Sequence, residues 1–124
     1  MNEISKATAQ INQIIEQARI RREALIEARK QASDYEYVVT CAGLAITFDQ
    51  HWPAADRCEY INATVRPADK ARIFSRSMAT ELAKRVKNGA GEIGKAERLI
   101  DVLNRELANS LLLTQTLTDA QARS

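Results

Sequence analysis

Cys41, Asp49, His51 and Cys58 are the side chains of this sequence whose types could carry covalent chemistry. A carboxylate that orients an imidazole, and an imidazole that activates a thiol, make a nucleophile for acyl transfer. The spacing argues against that use. Asp49 and His51 stand two residues apart, which does not align them on one helix face, and no glycine-rich loop nearby offers an oxyanion hole. The cluster reads instead as a helix end, with His51 near a C-terminus and Trp52 covering the core. Enzyme activity is not expected of it.

Metal binding fares no better. Cys41, His51 and Cys58 are separated by ten and seven residues, unlike the tight ligand pairs of structural zinc sites. No Glu-x-x-His pair occurs, so a di-iron helix bundle is excluded as well. "NGAGEIG", residues 88–94, lacks the Lys-Ser/Thr that completes a phosphate cradle and reads as a joint between helices. Neither a metal nor a cofactor is expected.

Basic residues remain. Between positions 54 and 88, Arg57, Arg66, Lys70, Arg72, Arg76, Lys84, Arg85 and Lys87 outnumber Asp56, Glu59, Asp69 and Glu81. Arg72, Arg76, Lys84, Arg85 and Lys87 would be the contacts of a DNA- or RNA-binding regulator, and the stretch from Pro53 to Gly89 could form a helix-turn-helix. The whole chain carries only +2. Charge runs on helices are more often solvated faces, so this stands as the alternative reading.

"ARIRREALIEARK", residues 18–30, concentrates arginine differently. Arg19 can pair with Glu23, and Glu27 with Lys30, on one helix. Arg21 and Arg22 have no such partner. Arg21 falls on an otherwise apolar stripe, where an unpaired buried charge is costly. A carboxylate must meet it: Asp101 or Glu106 of this chain, or one from a partner, with the partner favoured. Changing Arg21 to leucine should then alter partner binding or oligomeric state.

These side chains imply elements to hold them. Ile4, Ala7, Ile11, Ile14, Ala18, Arg21, Leu25, Ala28 and Ala32 alternate by three and four, predicting a helix over 4–32 about 40 Å long. "SDYE" at 33–36 has the pattern of a capping box and opens a predicted second helix over 34–50. Its body, "YVVTCAGLAITF", is apolar on nearly every side. The β-branched residues within it keep a strand reading open, but no turn signal lies within reach to build a sheet. Pro53 and Pro67 each suit the first turn of a further helix, giving 54–64 and 68–87. Ile93, Ala96, Ile100, Leu103, Leu107, Ser110, Thr114 and Leu117 place a last helix over 92–118.

The expected fold is therefore all-α: one domain over 1–124, a small bundle with two long amphipathic terminal helices, coiled-coil-like in their heptad spacing, and shorter central ones. Composition agrees, with 124 residues that are 45% hydrophobic, 27% charged and 5% aromatic. Two cysteines make no disulfide framework, the first ten residues carry no secretory pattern, and the run 37–48 is too short to span a bilayer. A reducing, cytoplasmic setting without membrane contact is the corresponding expectation.

The functional expectation is a non-enzymatic protein–protein interaction module: an adaptor, an assembly factor or an inhibitor that occludes a partner. Its binding residues would be Arg21, Arg22, Leu25 and Arg29 on the first helix and Leu111 and Leu113 on the last. The leucines of the last helix exceed what one face can hide, which points to a homodimer or a constant partner.

Overall fold

The computed structural model describes residues 3–48 and 63–123. The expectations for Asp49, His51, Trp52 and Cys58, and for the helix over 54–64 as far as residue 62, lie outside the described residues. The elements in chain order are α1 (Glu3–Gln31), β1 (Tyr37–Cys41), β2 (Leu44–Phe48), β3 (Ala63–Val65), a single 3-10 turn (Ala68–Lys70), α2 (Arg76–Ala83), β4 (Lys95–Arg98) and α3 (Leu99–Ala122). The strands form one antiparallel sheet in the order β3-β2-β1-β4. The chain is thus α+β, and the expectation of an all-α, coiled-coil-like bundle is overturned.

The second predicted helix is a β-hairpin. Cys41 pairs with Leu44 across a two-residue turn in which Ala42 (φ 53°) and Gly43 (φ 82°) are both left-handed. That is the primed turn geometry whose twist matches two antiparallel strands. Half of the capping box forms: the Ser33 N–H donates to the Glu36 carboxylate at 2.7 Å, but the Ser33 hydroxyl accepts the Tyr35 N–H and the Glu36 N–H goes to the Ser33 carbonyl. Backbone pairing beyond Glu36 nevertheless sends the chain into a strand rather than a helix. The Tyr37 and Phe74 N–H groups each donate to the other's carbonyl, at 3.0 and 2.8 Å, and Tyr37 pairs with Arg98 on the opposite side. Sheet partners on both edges thereby take the backbone groups that a helix would have satisfied internally.

The two later helices are also revised. After Pro67 the chain makes only one 3-10 turn and runs extended to Phe74 before α2 begins. Ser75 caps α2, its hydroxyl accepting the Met78 N–H at 3.4 Å. The helix expected over 92–118 starts as strand β4 and turns helical only at Leu99. Gly94 serves the approach to that strand. Its N–H donates to the Val86 carbonyl, and a Cβ there would lie 2.7 Å from the Ala83 carbonyl oxygen.

The sheet lies between two helical layers. On one face Val39 and Ile46 pack with Phe74, Leu82 and Val86, which seats α2. On the other, Val38 and Ala45 meet Leu25 of α1 and Leu99, Val102, Leu103 and Leu107 of α3. β1 is covered on both faces, so its residues read as a continuous apolar run rather than an alternating one. α1 and α3 lie side by side as expected. They run antiparallel, since Asn12 meets Gln121, Arg22 meets Thr114 and Arg29 meets Asn104.

Candidate functional site

α1 is about 44 Å long, yet between residues 5 and 24 it buries nothing fully, and Leu25 is its first sealed side chain. On α3 the last sealed residue is Leu107. Beyond these points the seam holds half-buried residues at most, among them Ile11, Ile15, Ala18 and Arg22 on α1 and Ser110, Thr114 and Leu117 on α3. A seam this thin covers one stripe of each helix and leaves the neighbouring stripes open. Ile14 is 44% exposed, Leu111 58%, Leu112 66% and Leu113 47%.

The arginines of residues 18–30 are spent within the chain. Arg21 donates from Nη2 to Glu106 Oε1 at 2.9 Å, and its Nη1 lies 3.7 Å from Asp69 Oδ1. The favoured expectation of a partner's carboxylate at Arg21 is therefore corrected: Glu106, one of the two candidates within the chain, meets it. Glu106 also accepts the Ala68 N–H on Oε2 at 2.7 Å, so one carboxylate joins α1, α3 and the 3-10 turn. Arg22 also crosses from α1 to α3, donating to Thr114 Oγ1 at 2.6 Å and Ser110 Oγ at 3.4 Å. Arg29 donates to Asn104 Oδ1 at 3.2 Å. Arg19 pairs with Glu23, and Lys30 with Glu27, as the spacing predicts. Leu25 is fully buried and presents nothing to a partner, whereas Leu111 and Leu113 are open.

A second polar cluster gives no signal in the sequence. Glu97 of β4 takes a two-pronged hydrogen bond from Arg105, both at 2.9 Å, and a further one from the buried Thr40 hydroxyl. Arg105 also donates to the Gly43 carbonyl at 3.0 Å, tying the hairpin turn to α3. The Arg105 hydrogen bonds hold the Glu97 carboxyl below the usual carboxylate range, against the opposing effect of partial burial, with Thr40 adding to the lowering. Eight residues and a strand-to-helix change separate Glu97 from Arg105, so no helical or strand period could have paired them.

The two clusters border a continuous groove on one side of the helix pair. One part, of about 460 Å³, lies between Ile14 and Ala18 of α1 and Ser110 and Leu113 of α3. It runs into a second part, of about 380 Å³, walled by Leu44, Val65, Arg66, Pro67 and Arg105. Arg21, Leu44, Glu106 and Asn109 line both.

The basic residues of the alternative reading are not gathered on one helix. Arg72 precedes α2 and stacks over the Phe74 ring at 5.3 Å, Arg76 opens α2, Lys84 pairs with Glu81 at 3.1 Å, and Arg85 and Lys87 come after the helix. α2 has eight residues and is flanked by β-bridges at Phe74 and Lys87, so no helix-turn-helix forms among the described residues. Among the same residues no group of three or more histidine, cysteine or acidic side chains could hold a metal ion. None of the described helices is long and apolar enough to cross a membrane. No known protein family, curated protein or solved structure matches the chain.

Proposed function

We propose that this chain is a protein–protein interaction module, an adaptor, assembly factor or inhibitor, whose docking platform is the α1/α3 helix pair. The observation that carries the reading is the set of open side chains Ile14, Leu111, Leu112 and Leu113 on two helices that cover only one stripe of each other. Apolar residues clustered in this way mark a surface that another macromolecule covers. The sheet and α2 act as the base that fixes one end of each long helix. A cytoplasmic setting belongs to this reading and is supported by Cys41, a buried free thiol.

The test is position-specific crosslinking in the source cells. A photoreactive residue at Leu111 or Leu113 should give adducts of defined mass, whereas one at the exposed Thr80 of α2 should give none. An adduct of twice the chain mass identifies a second copy as the partner; a different mass identifies another protein. Adducts at Thr80 as abundant as those at Leu113, or none at any position, would sink the reading.

A further inference from the structure

The groove side of the platform has a chemistry of its own. Its lining combines the apolar Ile14 and Leu113 with Ala18 and Ser110, side chains small enough to let a third helix approach closely. Farther along, Leu44 and Val65, 54% and 58% exposed, continue the apolar surface. The charged groups along it are arginines, and the carboxylates beside them are already taken. Glu106 uses one oxygen on Arg21 and the other on the Ala68 N–H, and Glu97 is occupied by Arg105 and Thr40. The exposed Arg66 guanidinium has no carboxylate partner among the described residues. What the groove offers an incoming segment is thus an apolar strip ending at Arg66, an arginine without a carboxylate partner among the described residues.

We propose that this groove binds an amphipathic helix of another protein, one whose apolar stripe is flanked by carboxylates that reach Arg66 and the outer edges of Arg21 and Arg105. The proposal rests on the docking reading above and names the occupant. A second copy of this chain fits less well, because most of the described carboxylates on its long helices are already paired with cations, Asp119 being the exposed exception. Glu16 and Glu23 both serve Arg19, Glu27 lies against Lys30, and Asp101 pairs with Arg98. A third helix seated between α1 and α3 buries their open stripes on this side, and the carboxylate-to-arginine contacts fix its direction and register.

Two labelled synthetic helical peptides sharing one leucine stripe, flanked by glutamate in one and lysine in the other, test this against the full chain by fluorescence anisotropy. The glutamate peptide should bind about tenfold more tightly than the lysine peptide, and the preference should shrink with added salt. Arg66→Glu, at an exposed position that leaves the fold intact, should abolish or reverse the preference. Leu113→Asp should remove binding of both peptides, whereas Leu111→Asp, outside the groove, should not. Equal binding of the two peptides, binding of neither, or equal damage from Leu111→Asp and Leu113→Asp would overturn the proposal. So would a dimer in sedimentation that Leu113→Asp dissociates, since a second copy would then fill the groove. If crosslinks form at Leu111 or Leu113 while no acidic peptide binds, this proposal fails and the docking reading survives. If both experiments are negative, both fail.

Discussion

Glu106 and Glu97 do the same work at two corners of the structure, each joining elements far apart in the chain through charged hydrogen bonds. Arg21 is held by the first, so its place on an apolar stripe is a tether between α1, α3 and the 3-10 turn. Glu97 is the deeper of the two, with its side chain 17% exposed and Arg105 and the Thr40 hydroxyl both donating to it. Glu97→Gln removes the charge while keeping the shape. At neutral pH it should cost about 2 kcal/mol, the range for hydrogen bonds to a charged group in a half-exposed setting. The sign of the pH dependence comes from the lowered carboxyl. Folding stabilises the ionised form, so the contribution is complete above the ordinary glutamate range of about 4.3 and is lost as pH falls through the lower folded value. Denaturant melts of the two proteins should therefore converge on acidification. A gap that stays constant from neutral pH into the acid range would show that the Glu97 charge contributes nothing.

At the scale of elements, the long helices were legible in the sequence and the sheet was not, for a reason visible in β1 and β2. Helix α1 runs Glu3–Gln31 where the three-four alternation of Ile11, Ala18 and Leu25 places it. The strands are short and β1 is covered on both faces, so period-two alternation is missing where it would have identified them. The turn between them is Ala-Gly, without the asparagine or aspartate that marks a primed turn. The groove was half legible: Leu113 stands out as surplus leucine, but Arg66 reaches the site through strand pairing that no local pattern encodes. The hairpin also keeps a cost in place. Ala42 holds a left-handed backbone that is unfavourable by roughly 1 kcal/mol for a residue with a Cβ and no local polar group. Ala42→Asn creates the favoured Asn-Gly turn and should raise stability by about 0.5–1 kcal/mol, measured as a shift of the urea midpoint with unchanged slope. A midpoint that falls would mean that the left-handed turn is not what positions Cys41 against Leu44.

The whole molecule divides into a cooperative base and a thin extension. In the base, the sheet is covered on both faces, with Val38, Val39, Val102 and Leu103 fully buried, each such side chain contributing about 1.5–3 kcal/mol. In the extension, residues 5–24 of α1 and 108–122 of α3 bury nothing fully, and Arg22 crosses the seam to hydroxyls rather than to an apolar partner. Separation of the helix ends therefore exposes little apolar surface and leaves the base intact, which is the condition for local opening below the global unfolding free energy. Native-state hydrogen exchange should show this directly. Amides of residues 8–17 and 113–121 should exchange at least about 100-fold faster than those of Val38, Val39 and Leu103. Arg22→Ala should speed exchange near Ser110 and Thr114 while leaving Val39 unchanged. Equal protection at Ile14 and Val39 would mean that the long helices and the sheet open as one unit. In that case the platform would be rigid before any partner arrives. With the graded protection expected here, part of the free energy of docking goes into ordering the two helix ends, and a bound helix should slow their exchange selectively.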